Sequence, residues 1–249
     1  MSSVRHNPIL IFAISVSIFG LFIVLTFAFN PLMAHENFLW RKPFVGSVFS
    51  IICILGSFSA LFPKQCSKAF HFRREKTNFA SHKASATSKG HHPDCQEFSA
   101  HVIHLSGYTL CAACTGLLLG ALIALIGTFF YFFRGWHLGE MGFLVVLIGS
   151  VELALGFFQL KFRGFVRLML NALFVVGAFL ILVGIDELTR SLSADLFITL
   201  LIVFWLFTRI QLSKWDHQRI CGNCKSPCDV REHRKREVKI CGAVHRERL

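Results

Sequence analysis

Long apolar runs separated by short polar breaks set the pattern of this chain. A helix that crosses the hydrocarbon core of a bilayer needs about 20 mostly apolar residues. Six stretches qualify: Ile9–Phe29, Phe44–Phe62, Thr115–Phe133, Phe143–Leu160, Phe165–Ile185 and Ala194–Leu212. Backbone amides in lipid have to be satisfied within the segment that carries them, which a helix does and an isolated strand does not. The pattern therefore predicts an all-α fold, a polytopic membrane bundle of six transmembrane helices. An even number of spans places both termini on one side. Ile9–Phe29 exceeds the 7–15-residue apolar core of a cleaved signal peptide, and no convincing small-x-small site follows it, so it reads as a retained helix.

Between the spans the chain divides into four regions. Residues 1–62 form an N-terminal helix pair, and residues 63–90 a flexible basic linker rich in Ser, Ala and Lys. Residues 91–212 join a Cys/His motif to a four-helix membrane core. Residues 213–249 are a Cys-rich basic tail.

With 54% hydrophobic and 16% charged residues, no soluble core of any size remains. The net charge of +12 is unevenly spread. The N-terminus, the Phe62–Leu110 loop, the Lys161–Gly164 turn and the tail share one side, which, with the adjoining helix ends, holds all but four of the Lys and Arg. The other side keeps Arg41, Lys42, Arg134 and Arg190. The positive-inside rule makes the basic side cytoplasmic, so the expectation is a multi-pass cell-membrane protein with both termini in the cytoplasm. Membrane lipid is then the natural partner of the Arg231–Lys239 run. Nothing in the chain has the form of an RNA or DNA module, so no nucleic-acid partner is expected.

Eight of the nine cysteines fall on the cytoplasmic side, where reducing conditions favour metal or redox chemistry over structural disulfides. Cys53, inside the second helix, reads as a small packing residue. The segment His91–Gly120 concentrates His91, His92, Cys95, His101, His104, Cys111 and Cys114. Tetrahedral zinc takes four ligands, and two thiolates spaced Cys-x2-Cys chelate one ion. Cys95, Cys111 and Cys114 with one histidine, His92 or His101, are the expected ligands. A redox role for Cys111 and Cys114 at the start of a helix is the second reading. In the tail, Cys221, Cys224, Cys228 and Cys241 suit a second zinc knuckle, with His233 as a substitute fourth ligand. That polar stretch buries too little apolar surface to fold without an ion. Cys66, His71 and His82 are scattered without ligand spacing.

Beyond Cys114, the small residues Ala112, Gly116, Gly120 and Ala124 recur every four positions, a stripe that lets another helix approach closely. Cys95 followed by Cys111-Ala112-Ala113-Cys114-Thr115-Gly116 at the head of a helix resembles a family of uncharacterised archaeal and bacterial polytopic membrane proteins. That family shares a Cys-His…Cys-Ala-Arg-Cys-Thr-Gly signature and a later helix pair with acidic, Gln, Asn and Arg positions. Glu152, Gln159, Arg167 and Asn171 look like the counterparts of that pair. The resemblance covers about the middle third of the chain and implies the fold and the site, with no agreed activity. Gln96 and Ala113 depart from it, where the family carries His and Arg.

Glu152, Gly156 and Gln159 share one face of the fourth helix, and Arg167 and Asn171 one face of the fifth. A bare carboxylate at mid-bilayer costs on the order of 3 kcal/mol, so Glu152 is expected to pair with Arg167 or Asn171 across the tight turn. That pairing serves either as a clamp or as a functional pocket. Asp186, Glu187, Arg190, His137 and Glu140 read as solvated loop residues, and Trp40, Arg41 and Lys42 as an interfacial anchor.

Two functional readings follow. The first is a membrane protein whose cytoplasmic zinc-binding Cys/His modules serve a binding, scaffold or sensing role toward a cytoplasmic protein partner. The second is a membrane-embedded metal- or thiol-dependent enzyme acting on a lipid or quinone at the cytoplasmic face. Its catalytic candidates are Glu152, Arg167, Cys111 and Cys114. A metal-ion transporter is a thinner third, resting on one buried carboxylate.

Overall fold

The computed structural model describes residues 8–31, 39–61, 102–105 and 108–223. The chain is an all-α bundle with six helices long and apolar enough to cross a membrane. Helix α1 spans Pro8–Phe29 and α2 spans Arg41–Leu61. Helix α3, Ala112–Thr128, continues through a π-helical turn at Phe129–Phe133. Helix α4, Gly142–Phe157, runs into a 3-10 turn at Phe158–Lys161. Helices α5 and α6 span Gly164–Thr189 and Leu192–Asn223. Proline stands at the first position of α1 and the third of α2, inside the first turn where a missing N–H costs no intrahelical bond.

One element departs from the all-helical expectation. Val102–Leu105 and Tyr108–Cys111 form an antiparallel β-hairpin, β1 and β2, in a register that pairs Val102 with Cys111 and Leu105 with Tyr108. Ser106-Gly107 separates the two runs in the sequence, the short glycine-bearing connection that hairpins favour. The last helix also runs about three turns past Leu212, because Trp215 and its polar neighbours continue the helical ladder beyond the apolar span.

Helix α5 is the axis of the bundle, with most of its surface buried. It packs against α3 on one side and α4 on another. Small residues set both contacts. A Cβ built on Gly116 would lie 2.2 Å from the Leu168 carbonyl oxygen, and one on Gly120 2.6 Å from that of Ala172. Gly149 and Gly177 face each other across α4 and α5, each within 2.7 Å of the other's backbone oxygen by the same measure. The small-residue stripe of α3 is thus the surface that seats it on α5. The turn between α4 and α5 closes at Gly164, whose φ of +53° favours a residue without a side chain. At the other end of α5, Arg190 takes a left-handed conformation and donates its N–H to the Asp186 carbonyl, so that α6 starts two residues later.

Helix α1 lies against α4 and α6, and α2 against α3. Ser17 of α1 donates to Thr208 of α6 at 2.9 Å, and Trp205 donates its indole N–H to the Ser17 carbonyl at 3.2 Å. The interior between is apolar, filled by Phe49, Leu153, Phe174, Ile181, Leu182, Ile198 and Trp205. Leucines and phenylalanines on the outward faces, such as Phe12, Phe19, Leu122 and Leu200, are exposed, as lipid-facing positions would be.

Candidate functional site

The bundle carries buried polar groups at both ends. At the end bearing the thiols, β2 passes directly into α3: Cys111 closes the strand and Ala112 opens the helix. Cys111 is the extended N-cap of α3 and Cys114 lies in its first turn, and the two thiols are close enough to interact electrostatically. Gly116 seats the next turn against Leu168 and Asn171, which holds the thiol pair beside the first turns of α5.

Five polar side chains gather there. Arg209 of α6 donates Nη2 to the Gln159 Oε1 at 3.1 Å. Its guanidinium stands 5.9 Å from the Phe174 ring and within electrostatic reach of Cys111, Cys114 and Arg167. Arg167 pairs with Asp216 of α6, Nη2 to Oδ2, at 3.2 Å. Asn171 donates Nδ2 to the Arg167 carbonyl oxygen at 2.6 Å. Gln159, Arg167, Asn171, Arg209 and Asp216 are all buried. Arg209 Nε, Gln159 Nε2 and Asn171 Oδ1 are buried without a hydrogen-bond partner. No described carboxylate pairs with Arg209.

Glu152 does not join them. Gly149 packs on Gly177, and Gly156 packs on Phe174, so the register of the antiparallel helices sets Glu152 opposite Gly177. Gly177 is ten residues beyond Arg167, about 15 Å along α5. The expected pairing of Glu152 with Arg167 or Asn171, and the pocket shared by Glu152 and Arg167, are therefore corrected. It is Gln159, seven residues further along the same helix, that reaches the arginine level, through Arg209. Glu152 Oε2 is buried without a hydrogen-bond partner.

The opposite end holds an ion network that the solvated-loop and interfacial-anchor readings missed. Arg41, 4% exposed, sets Nη1 2.7 Å from Asp186 Oδ1 and 2.5 Å from Asp195 Oδ2. The shorter contact is a hydrogen bond; Asp186 Oδ1 is close in distance yet accepts none. Asp186 and Asp195 also stand close enough to repel each other electrostatically. Tyr131 donates its hydroxyl to Asp186 and Glu187 at 2.6 and 2.9 Å. Lys42 lies over the Tyr131 ring, 3.5 Å from Asp186 and 3.9 Å from Glu187. His137 and Arg190 approach Glu187 from the exposed side. The π-helical turn inserts an extra residue per turn beside Tyr131, and the two-residue break after α5 brings Asp195 back beside Asp186. The sequence did hold a signal: two cations and three carboxylates lie at helix ends on the same side.

Among the described residues, no three His, Cys, Asp or Glu side chains gather as a metal-ligand group. Of the expected ligands, the structure brings Cys111 and Cys114 together. Cys95, His91, His92 and His101 lie outside the described residues, as do Cys224, Cys228, His233 and Cys241. Cys221 falls in the last turn of α6. His104 belongs to β1, opposite Thr109. Residues 63–90, the expected linker, are likewise outside. Comparison with models of known protein families, with curated proteins and with solved structures finds no match.

Proposed function

We propose that the chain is a membrane protein whose thiol site at the β2–α3 junction holds zinc in a binding, scaffold or sensing role. The observation that carries this reading is the placement of Cys111 and Cys114 together at the foot of α3, as N-cap and first turn, within electrostatic reach of each other. Two thiolates at that spacing make half of a tetrahedral zinc site. The hairpin register supports the other half. Val102, which follows the segment carrying His92, Cys95 and His101 in the sequence, pairs with Cys111. Cys221, Cys224, Cys228 and Cys241 supply a second site in the tail. The resemblance of the Cys95…Cys-Ala-Ala-Cys-Thr-Gly segment to uncharacterised archaeal and bacterial membrane proteins belongs to the same reading.

The charge asymmetry orients the thiol end and both termini toward the cytoplasm of a cell membrane, where a protein partner would meet the zinc modules and lipid the basic tail. An enzyme acting on a lipid or quinone keeps Cys111, Cys114 and Arg167 among its candidates. It loses Glu152, which stands about 15 Å away along α5.

Zinc content of the detergent-purified chain under reducing conditions tests the proposal. Bound zinc is expected in the parent chain, with one ion lost in Cys111→Ser/Cys114→Ser and another in Cys221→Ser/Cys224→Ser. A parent chain free of zinc, or a Cys111→Ser/Cys114→Ser variant that retains it all, refutes the reading. Thiol labelling from outside intact cells tests the orientation: modification of Cys114 by an impermeant reagent overturns it.

A further inference from the structure

Beneath the thiol-end polar cluster, α2, α3, α5 and α6 leave an open groove. Phe49, Cys53 and Gly56 line it from α2, Leu117 from α3, Phe174 from α5 and Leu206 from α6. Its walls are almost wholly apolar, and a Cβ at Gly56 would meet no atom within 4 Å. From Phe49 to Gly56 it extends about 10 Å along the helices.

The polar cluster lies about one helical turn beyond this groove, as its cap. Three of the helices each place a cluster residue one turn from a lining residue: Cys114 before Leu117, Asn171 before Phe174, and Arg209 after Leu206. Phe174 belongs to both, since its ring also faces the Arg209 guanidinium. Among the described residues, the buried charged side chains at the cap are Arg167, Arg209 and Asp216, with Arg167 and Asp216 paired to each other. Arg209 stands within an apolar span with a neutral amide as its hydrogen-bond partner, and among the described residues its Nε and the Gln159 Nε2 find no acceptor. A buried cation in that setting calls for one negative charge bearing hydrogen-bond acceptors.

We infer that groove and cap together bind an anionic phospholipid, its acyl chain lying along Phe49, Gly56 and Leu206 and its phosphate accepting from Arg209 and Gln159. A phosphodiester carries a single negative charge, which matches a buried Arg209 that has no carboxylate partner among the described residues, and Arg holds phosphate through fixed N–H donors. The tail fills a surface that only hydrocarbon can cover in a bilayer. This site does not depend on zinc at Cys111 and Cys114.

The test uses the full chain, delipidated in detergent and titrated with phosphatidylglycerol or phosphatidylcholine of equal chain length, with bound lipid read by native mass spectrometry. High ionic strength screens the exposed basic tail and leaves a buried guanidinium little affected. Under those conditions the parent chain is expected to prefer phosphatidylglycerol. Arg209→Gln should lower that preference about tenfold, the loss of a charge-assisted hydrogen bond. Gly56→Trp fills open space and leaves the fold intact, so it should expel both lipids from the site even if Arg209→Gln fails to fold. Glycerol phosphate, which has no tail, should not compete. Cys111→Ser/Cys114→Ser should keep the preference, which separates this site from the zinc proposal. Equal binding of the two lipids by the parent chain, a preference unchanged in Arg209→Gln, or binding unchanged in Gly56→Trp overturns the inference. Any of these would mean that Arg209 is balanced within the protein and that the groove takes bilayer lipid without selection.

Discussion

Arg41 offers the sharpest test of the ion network opposite the thiols. Its guanidinium bridges Asp186 and Asp195, and both carboxylates are fully buried. Replacing Arg41 with Gln removes the cation and leaves two buried carboxyls facing each other. Removing one partner of a buried ion pair costs about 3–5 kcal/mol, because the remaining charge is stranded. Lys42 offsets part of this, being 3.5 Å from Asp186. For a chain of this size the loss corresponds to a fall in unfolding temperature of roughly 6–20 °C. Thermal unfolding in detergent, followed by α-helical circular dichroism, measures it. Adding Asp195→Asn to Arg41→Gln removes one stranded carboxyl and should recover much of the loss. An interfacial anchor would behave otherwise: a surface change stays within about ±0.5 kcal/mol and gains nothing from a second substitution. Unfolding of Arg41→Gln within a degree or two of the parent chain, or no recovery in the double variant, refutes the buried-network account.

Two further outcomes follow from the packing. Gly116→Ala should destabilise by about 1–3 kcal/mol, since its Cβ would sit 2.2 Å from the Leu168 carbonyl oxygen, whereas Gly56→Ala should be neutral or slightly stabilising in the same unfolding assay. Equal effects of the two would show that α3 does not sit flush on α5. Glu152→Gln keeps the shape of a side chain with no arginine partner, so its unfolding temperature should match the parent chain; a fall comparable to that of Arg41→Gln would restore a clamping role for the carboxylate.

The spans were legible because burial in lipid imposes one rule on every position: apolar for about 20 residues. That rule trims charged residues from helix ends, and the trimming hid the second cluster. The apolar runs begin at Phe44 and stop at Ile185, just outside Lys42 and Asp186, although α2 starts at Arg41 and α5 reaches Thr189. Residues that looked like loop were the inward-facing ends of helices. The Glu152 pairing failed for a different reason. Helical periodicity gives the face of a residue but not the vertical offset of its neighbour, and Gly149 on Gly177 fixes that offset only in three dimensions. The nearness of Cys111 and Cys114 was readable, because Cys-x2-Cys is the spacing at which two thiolates reach one ion. The β-hairpin before it was not separated from the polar loop, since four-residue strands carry too little alternation to stand out.

Helix α5 touches both polar ends. Arg167 lies in its first turn and Asp186 in its last, nineteen residues or about 28 Å apart, nearly the thickness of a bilayer's hydrocarbon. The stretch between them is packed with hydrocarbon side chains, so it insulates: charge at one face is not relayed stepwise to the other. What the two faces share is a stiff strut, gripped along its length by glycine contacts from α3 and α4. Shortening or shifting that strut at one face would therefore be felt at Asp186 and its bridge to Arg41, across the full depth of the protein.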